Sequence, residues 1–261
     1  MRTMYENGVG RLEEESSFLH QLMDMGEMLL SCGAEVNRVE DTLIRMGSCA
    51  GAVRMNVFVI TSSIVITMQL PDGKATTQTR RILGGSINFK RLEELNALSR
   101  RFCANPCSPE ELGREIEALK RQSNRVRPML LGCALAAGSF AVFFGGSALD
   151  GVFSAVIGFL IGLAQLKLSG ITPNPLIFNL LCSFAMGTMV ALSKRLLPSL
   201  NADMIMIGDI MLLIPGLPMT NAIRDVLVGD TISGIMRLVE SLLWAGGIAC
   251  GVMLSMLLLG R

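Results

Sequence analysis

A single histidine, one tryptophan and one tyrosine are spread over 261 residues, and only 17% of the chain is charged. One histidine leaves no room for a His-rich metal site, and no His-based catalytic triad is apparent around it. No Gly-rich phosphate loop and no nucleophile elbow appears either, so the common enzymatic signatures are missing. The formal net charge is +1, and neither half of the chain is strongly basic, which argues against a nucleic-acid partner. The opening "MRTMYENGVGRLEEESS" lacks the apolar core of a secretory leader, and the N-terminus is expected to stay in the cytosol. Seven cysteines are an odd number, and Cys133, Cys182 and Cys250 lie in apolar runs, so reduced thiols are expected. Cys103 and Cys107 in "CANPC" form an isolated pair with no second pair to complete a zinc site, and no metal or cofactor is expected.

What the chain does have is apolar length. It is 51% hydrophobic with a mean hydropathy of +0.50, a balance that suits a polytopic membrane protein. The charge is segregated: 17 of the 23 Lys+Arg and 16 of the 22 Asp+Glu fall within residues 1–127. A polar domain over 1–127 is therefore expected to precede a membrane domain over 128–261, with Pro128 at the seam.

In the polar half, Phe18, Leu22, Met25, Leu29 and Cys32 recur at spacings of four and three, the stripe of an amphipathic helix that Gly33 ends. Val36, Val39, Leu43 and Met46 form the stripe of a second helix, and the two are expected to pair as an αα-hairpin. The opposite face of the second helix carries Glu35, Arg38, Glu40, Asp41 and Arg45, which on spacing alone reads as a solvated face. "NVFVIT", "SIVITMQL", the turn "PDGK" and "ATTQTRRI" predict a three-stranded meander. Two helices follow, about 89–102 and 109–122, the second with Ser108 as N-cap, Pro109 in its first position and Glu111 three residues past the cap.

Residues 129–149 carry no charge over 21 positions, enough for a hydrocarbon core that takes about 20 helical residues. Asp150 and Gly151 are expected to turn the chain into a second span at 151–167, "GITPNP" to break it again, and further spans to run over 175–193, 203–217 and 235–259. The fold class is thus an α-helical polytopic membrane protein with about five transmembrane helices, preceded by a small cytosolic α+β domain. Arg121, Arg125 and Arg127 precede the first span while "GGSALDG" after it has no positive residue, which places the N-terminal domain in the cytoplasm and Arg261 outside. Lys194 and Arg195 run against that bias. Glycines 132, 138, 145, 158 and 162 suit close helix packing.

The fourth expected span is broken and charged. "MIMIGDIMLLIPGLPMTNAIRDVLVGD" places Asp209 inside an apolar run, where a charge costs about 2.5–3.5 kcal/mol, so it should face protein or a watery cavity. Pro215 and Pro218 around Gly216 prevent a continuous helix, and broken backbone at membrane depth is tolerated chiefly where it lines a cavity. Beyond the break Thr220 is expected to cap a half-helix whose Asn221, Arg224 and Asp225 would favour an anionic group such as a substrate carboxylate. The opposing reading makes this stretch an interfacial loop helix with solvated charges. Glu240 is a second candidate for an ion-linked carboxylate, unless it only pairs with Arg237 three residues earlier.

"CGAEVNRVEDTLIRMG" (Cys32–Gly47), the later "RRI…LEELNALSR" and "IPGLPMTNAIRDVLVGDTISGIMRLVESLL" (Ile214–Leu243) together resemble the bacterial threonine/serine exporter family, including the related two-subunit carriers of the YjjP type. The resemblance covers nearly the whole chain in order. It implies a multi-pass inner-membrane exporter of threonine and serine, or of succinate, and no enzyme. It also implies a separate small membrane-protein partner subunit or a homo-oligomer, because fused family members have ten helices. For Glu35, Arg38, Glu40 and Asp41 it implies a gating or subunit-contact role. Two further readings stand beside it: a non-transporting regulatory or scaffold subunit, and a membrane-bound hydrolase using Glu35, Glu40 and Asp41.

Overall fold

The computed structural model describes residues 2–85, 87–122, 126–168 and 174–259, with side chains from residue 16 onward. Arg125, Arg261 and residues 170–173 of "GITPNP" lie outside the described residues. The chain divides into two compact units, Met1–Ser123 with Thr220–Arg237, and Asn124–Met219 with Leu238–Arg261. The first therefore contains a segment distant in sequence, which composition did not separate from the membrane half.

In the first unit α1 (Arg2–Ser31) and α2 (Val36–Cys49) are joined by a three-part stop signal. Gly33 adopts φ 94°, its N–H reaches Leu30 O at 3.0 Å, and the N–H of Ala34 reaches Leu29 O at 3.0 Å. This is a Schellman closure, which needs the left-handed conformation that glycine takes at no steric cost. The strands β1 (Arg54–Ile60), β2 (Ser63–Gln69) and β3 (Ala75–Arg81) form an antiparallel meander in that order, with Val57 opposite Ile66 and Ile66 opposite Gln78. The alternation of β2 buries Ile64, Ile66 and Met68 against Leu22, Met25 and Leu29 of α1 and Val39, Leu43 and Met46 of α2. Leu95, Leu98 and Phe102 of α3 (Phe89–Ala104), with Leu112 and Ile116 of α4 (Pro109–Arg121), complete one core. The Ser108 hydroxyl caps α4 by accepting from the N–H of Glu111 at 3.3 Å.

The second unit is built from α5 (Val126–Phe143), α6 (Ala148–Leu168), α7 (Pro175–Leu196), α8 (Ala202–Ile210) and the later part of α10 (Thr231–Leu259). Among the described residues four helices, α5, α6, α7 and α10, are long and apolar enough to cross a membrane. The uncharged run 129–149 is not one helix: α5 stops at Phe143 and Gly145 turns the chain at φ 108°. Asp150, expected in the turn, sits in the first turn of α6 as half of a capping box. Its Oδ2 accepts from the Ser147 N–H and hydroxyl, both at 2.8 Å, and the Asp150 N–H returns to Ser147 Oγ at 3.2 Å. Oδ1 accepts the N–H of Asn201 at 2.8 Å, tying this corner to the start of α8.

The stretch 203–217 also departs from a span. α8 has nine residues, too few to cross about 20 residues' worth of hydrocarbon. It tightens at its end, where Leu212 N–H reaches Asp209 O at 3.1 Å and Leu213 N–H reaches Ile210 O at 2.9 Å. Pro215 then starts a new helix, α9 (Gly216–Val228). A proline has no N–H to extend the ladder, which is why the apolar run yields two short helices. α8 lies on α5 because Gly208 has no side chain: a Cβ there would stand 2.7 Å from Ala137 O and 2.8 Å from Ala141 N. Gly208→Val is expected to push α8 off α5 at a cost of about 1–3 kcal/mol, read as a lower unfolding temperature in detergent and a parallel loss of function through the displaced Asp209.

Candidate functional site

Two constellations gather the sequence-marked residues, one in each unit. In the second unit Asp209, at the end of α8, is 0% exposed. Its Oδ1 accepts from the Ser154 hydroxyl of α6 at 2.9 Å, and Oδ2 has no hydrogen-bond partner among the described residues. A buried carboxylate normally has its oxygens satisfied, so an idle one is a place where something can bind. Ser154 is itself fully buried and was not singled out from the sequence; its only signal was a small polar residue in an apolar helix.

Pro215, Gly216 and Pro218 form the break that follows. The carbonyl of Pro215 accepts from the N–H of Met219 at 3.1 Å, and Pro218 lies in the first turn of α9, where a missing N–H costs nothing. Thr220 is consequently inside α9 and does not cap it. A groove of about 560 Å³ runs beside the break, walled by Ile210, Ile214, Ala249, Val252 and Met253 among others. Its walls are apolar and Asp209 is not among them.

In the first unit α9 and the start of α10 grip the turn between α1 and α2. Asn221 Nδ2 donates to Gly33 O at 3.3 Å, Arg237 Nη2 donates to Ala34 O at 3.2 Å, and Arg224 is ion-paired with Glu35. Asp225 accepts from the N–H of Val36, so it stands at the positive end of α2, where a carboxylate is favoured. Arg237 Nη1 is 3.1 Å from Asp225 Oδ2, within ion-pair range though off the line of a hydrogen bond. Burial holds Asp225 above the ordinary carboxylate range, Arg237 opposes that rise, and Asp230 and Glu35 add to it. Four residues from the "TNAIRD…R" region thus close on "CGAEV", joining the two family-like motifs across as many as 203 positions.

The acidic face of α2 divides. Glu40 accepts from the N–H of Val59 at 2.8 Å and ties α2 to β1; burial raises its pKa, with the Val59 bond opposing and Asp230 adding. Asp41 is held by Arg45 at 3.0 and 2.6 Å on the surface, and Arg38 lies 3.7 Å from Glu35. Glu240 is exposed, and Arg237 turns away from it to Asp225. Tertiary burial outweighs the i,i+3 spacing that suggested the Arg237–Glu240 pair. Cys103 lies against the Cys49 thiol, and burial with that neighbour pushes it up to about 11. Among the described residues no three His, Cys, Asp or Glu converge to hold a metal.

The Arg224–Glu35 pair is partly exposed, at 56% and 21%, and screened accordingly. Arg224→Ala is expected to lower stability by less than about 1 kcal/mol, and thermal unfolding should barely move. Any large effect of this substitution on activity is then an effect on function.

The family model ThrE, described as "Putative threonine/serine exporter", matches residues 20–259, which include both constellations. The chain belongs to the ThrE family. ThrE is a family of transporters, and this member is a multi-pass membrane protein. Its relatives include the "Probable threonine/serine exporter" of Mycobacterium tuberculosis, 24% identical over 76% of this chain and 37% of that protein. The "Threonine/serine exporter" of Corynebacterium glutamicum is 24% identical over 87% of this chain and 48% of that protein. This ThrE chain therefore spans about half, or less, of the length of those two exporters. The "Probable succinate transporter subunit YjjP" of Escherichia coli is 25% identical over 95% of this chain and 97% of that protein. No solved structure matches.

Proposed function

We propose that this ThrE-family chain is a subunit of an ion-gradient-driven exporter of small carboxylate-bearing metabolites, threonine and serine foremost. It works in a bacterial inner membrane with its N-terminal unit in the cytoplasm, beside a second membrane subunit or a further copy of itself. The observation that carries the reading is Asp209, fully buried with one oxygen unpartnered among the described residues, at the end of a helix broken inside an apolar region. A carboxylate so placed is the group to take up and release the coupling ion, with Ser154 orienting it. Pro215, Gly216 and Pro218 supply the hinge between α8 and α9. The turn gripped by Asn221, Arg224, Asp225 and Arg237 is the means by which the N-terminal unit acts on α9 and α10, the exposed Arg224–Glu35 pair being the contact that opens, with Arg38 and Asp41 flanking it and Glu240 on the same helix as Arg237. The YjjP-type relative, matched over 97% of its length, favours a second reading in which the cargo is a four-carbon dicarboxylate.

Counterflow in proteoliposomes containing the chain, alone and with a co-purified membrane partner, tests both readings. Uptake of labelled threonine or serine supports the first, and succinate alone the second. If none of the three moves, export by this chain is refuted, and full transport by an Asp209→Asn chain would leave a regulatory or scaffold role instead.

A further inference from the structure

The first unit holds a cleft separate from the gripped turn, between the last turns of α1, the start of α3 and the middle of α4. Its volume is about 190 Å³, roughly that of six liquid waters. Pockets for drug-sized ligands run to about 300–1,000 Å³, so a nucleotide is too large here and a metabolite of a few carbons is not. Met28 and Ile116 form its apolar wall, and Asp24, Glu27, Arg91, Glu117 and Lys120 supply the charge.

Ion pairing among these charges is lopsided. Asp24 and Glu27 are both engaged by Arg80 of β3, and Glu117 accepts from Arg121 Nε at 3.1 Å. Every carboxylate at the cleft thus has a cation already. The cations lack the converse: among the described residues neither Arg91 nor Lys120 is paired with a carboxylate. Arg91 is fixed by donating from Nη2 to Gln122 O at 2.6 Å and by a side-chain hydrogen bond to the Cys32 thiol, with its Nε buried and without a hydrogen-bond partner among the described residues. A guanidinium held rigidly at the wall with no carboxylate of its own, together with an ammonium likewise unpaired among the described residues, is suited to receive a carboxylate.

We propose that this cleft binds a small carboxylate-bearing metabolite through Arg91 and Lys120, and that the N-terminal unit thereby senses the class of compound the membrane unit exports. The sensing clause rests on the export reading; the binding site does not. For an amino acid, the Asp24 and Glu27 carboxylates would face the ammonium group. For a dicarboxylate, Lys120 would take the second carboxylate.

Calorimetric titration of the detergent-purified full chain with L-threonine, L-serine, succinate and inorganic phosphate, each separately, tests this. At least one of the three carboxylates is expected to bind saturably, and at least about tenfold more weakly to Lys120→Gln and to Arg91→Gln. Lys120 lies on the exposed face of α4, so its variant keeps the fold if Arg91→Gln does not. No saturable carboxylate binding, binding of phosphate alone, or an unchanged Kd in Lys120→Gln overturns the proposal. Binding that persists while counterflow fails counts against export and not against this site; counterflow without binding does the reverse.

Discussion

Asp209→Asn is expected to reduce gradient-driven export by roughly two orders of magnitude, the scale on which losing one positioned proton-transfer group slows a step, while leaving the fold as stable as before or more so. The two effects have different causes. Asparagine keeps the shape and the oxygen that accepts from Ser154 Oγ at 2.9 Å, so packing in α6 and α8 is preserved. It removes a group whose charge costs about 2.5–3.5 kcal/mol at membrane depth, so stability has no reason to fall. It also removes the carboxylate proposed to exchange the ion, and a residue kept for function is often one that stability would discard. Transport rate and unfolding temperature, measured on the same proteoliposome preparation, should move independently. A variant in which both fall together would make Asp209 a structural residue and refute its assigned role.

Arg237→Ala is expected to destabilise the first unit by about 3–5 kcal/mol. Arg237 is 14% exposed and its partner Asp225 only 2%. Removing the guanidinium strands a carboxylate that burial already penalises, and it deletes the donor to Ala34 O at 3.2 Å as well. Breaking one partner of a buried pair costs far more than the pair itself contributes. The double variant Arg237→Met with Asp225→Leu, which removes both charges, should recover much of the loss. Unfolding of wild type, Arg237→Met, Asp225→Leu and the double variant in a double-mutant cycle reads this directly, and a single Arg237→Ala chain as stable as wild type would show the carboxylate to be solvated after all. The contrast with Arg224→Ala, a neighbouring cation on a partly exposed carboxylate, isolates burial as the cause.

Local chemistry was legible in the sequence wherever short-range rules decide. The stripe from Phe18 to Cys32, the stop at Gly33, the cap at Ser108 and the turn at "PDGK" all rest on neighbours within a few residues, and the elements form there. Asp209 was legible through its cost, and the break through two prolines. What the sequence hid were pairings. Ser147 and Asp150 satisfy each other next to what reads as uninterrupted apolar chain, and spacing alone does not distinguish this helix start from a turn. Ser154 gives no sign that it waits for a carboxylate 55 residues on. Arg237 has an acidic neighbour at i+3 and yet pairs with Asp225, because the buried partner gains more from it. The grip of Asn221 and Arg224 on Gly33 and Glu35 spans 188 and 189 positions, beyond the reach of any periodicity.

That long reach has a consequence for biogenesis. The polar residues of the first unit run to Ser123 and are made before the apolar helices, but the unit closes only with Thr220–Arg237. At about 5–20 residues per second, translation leaves roughly 10–40 s in which the α1–α2 turn lacks its partner. Three helices long and apolar enough to span are made in that interval. Completion of the first unit therefore waits until three apolar helices have been synthesised, and the α1–α2 turn is without its partner throughout.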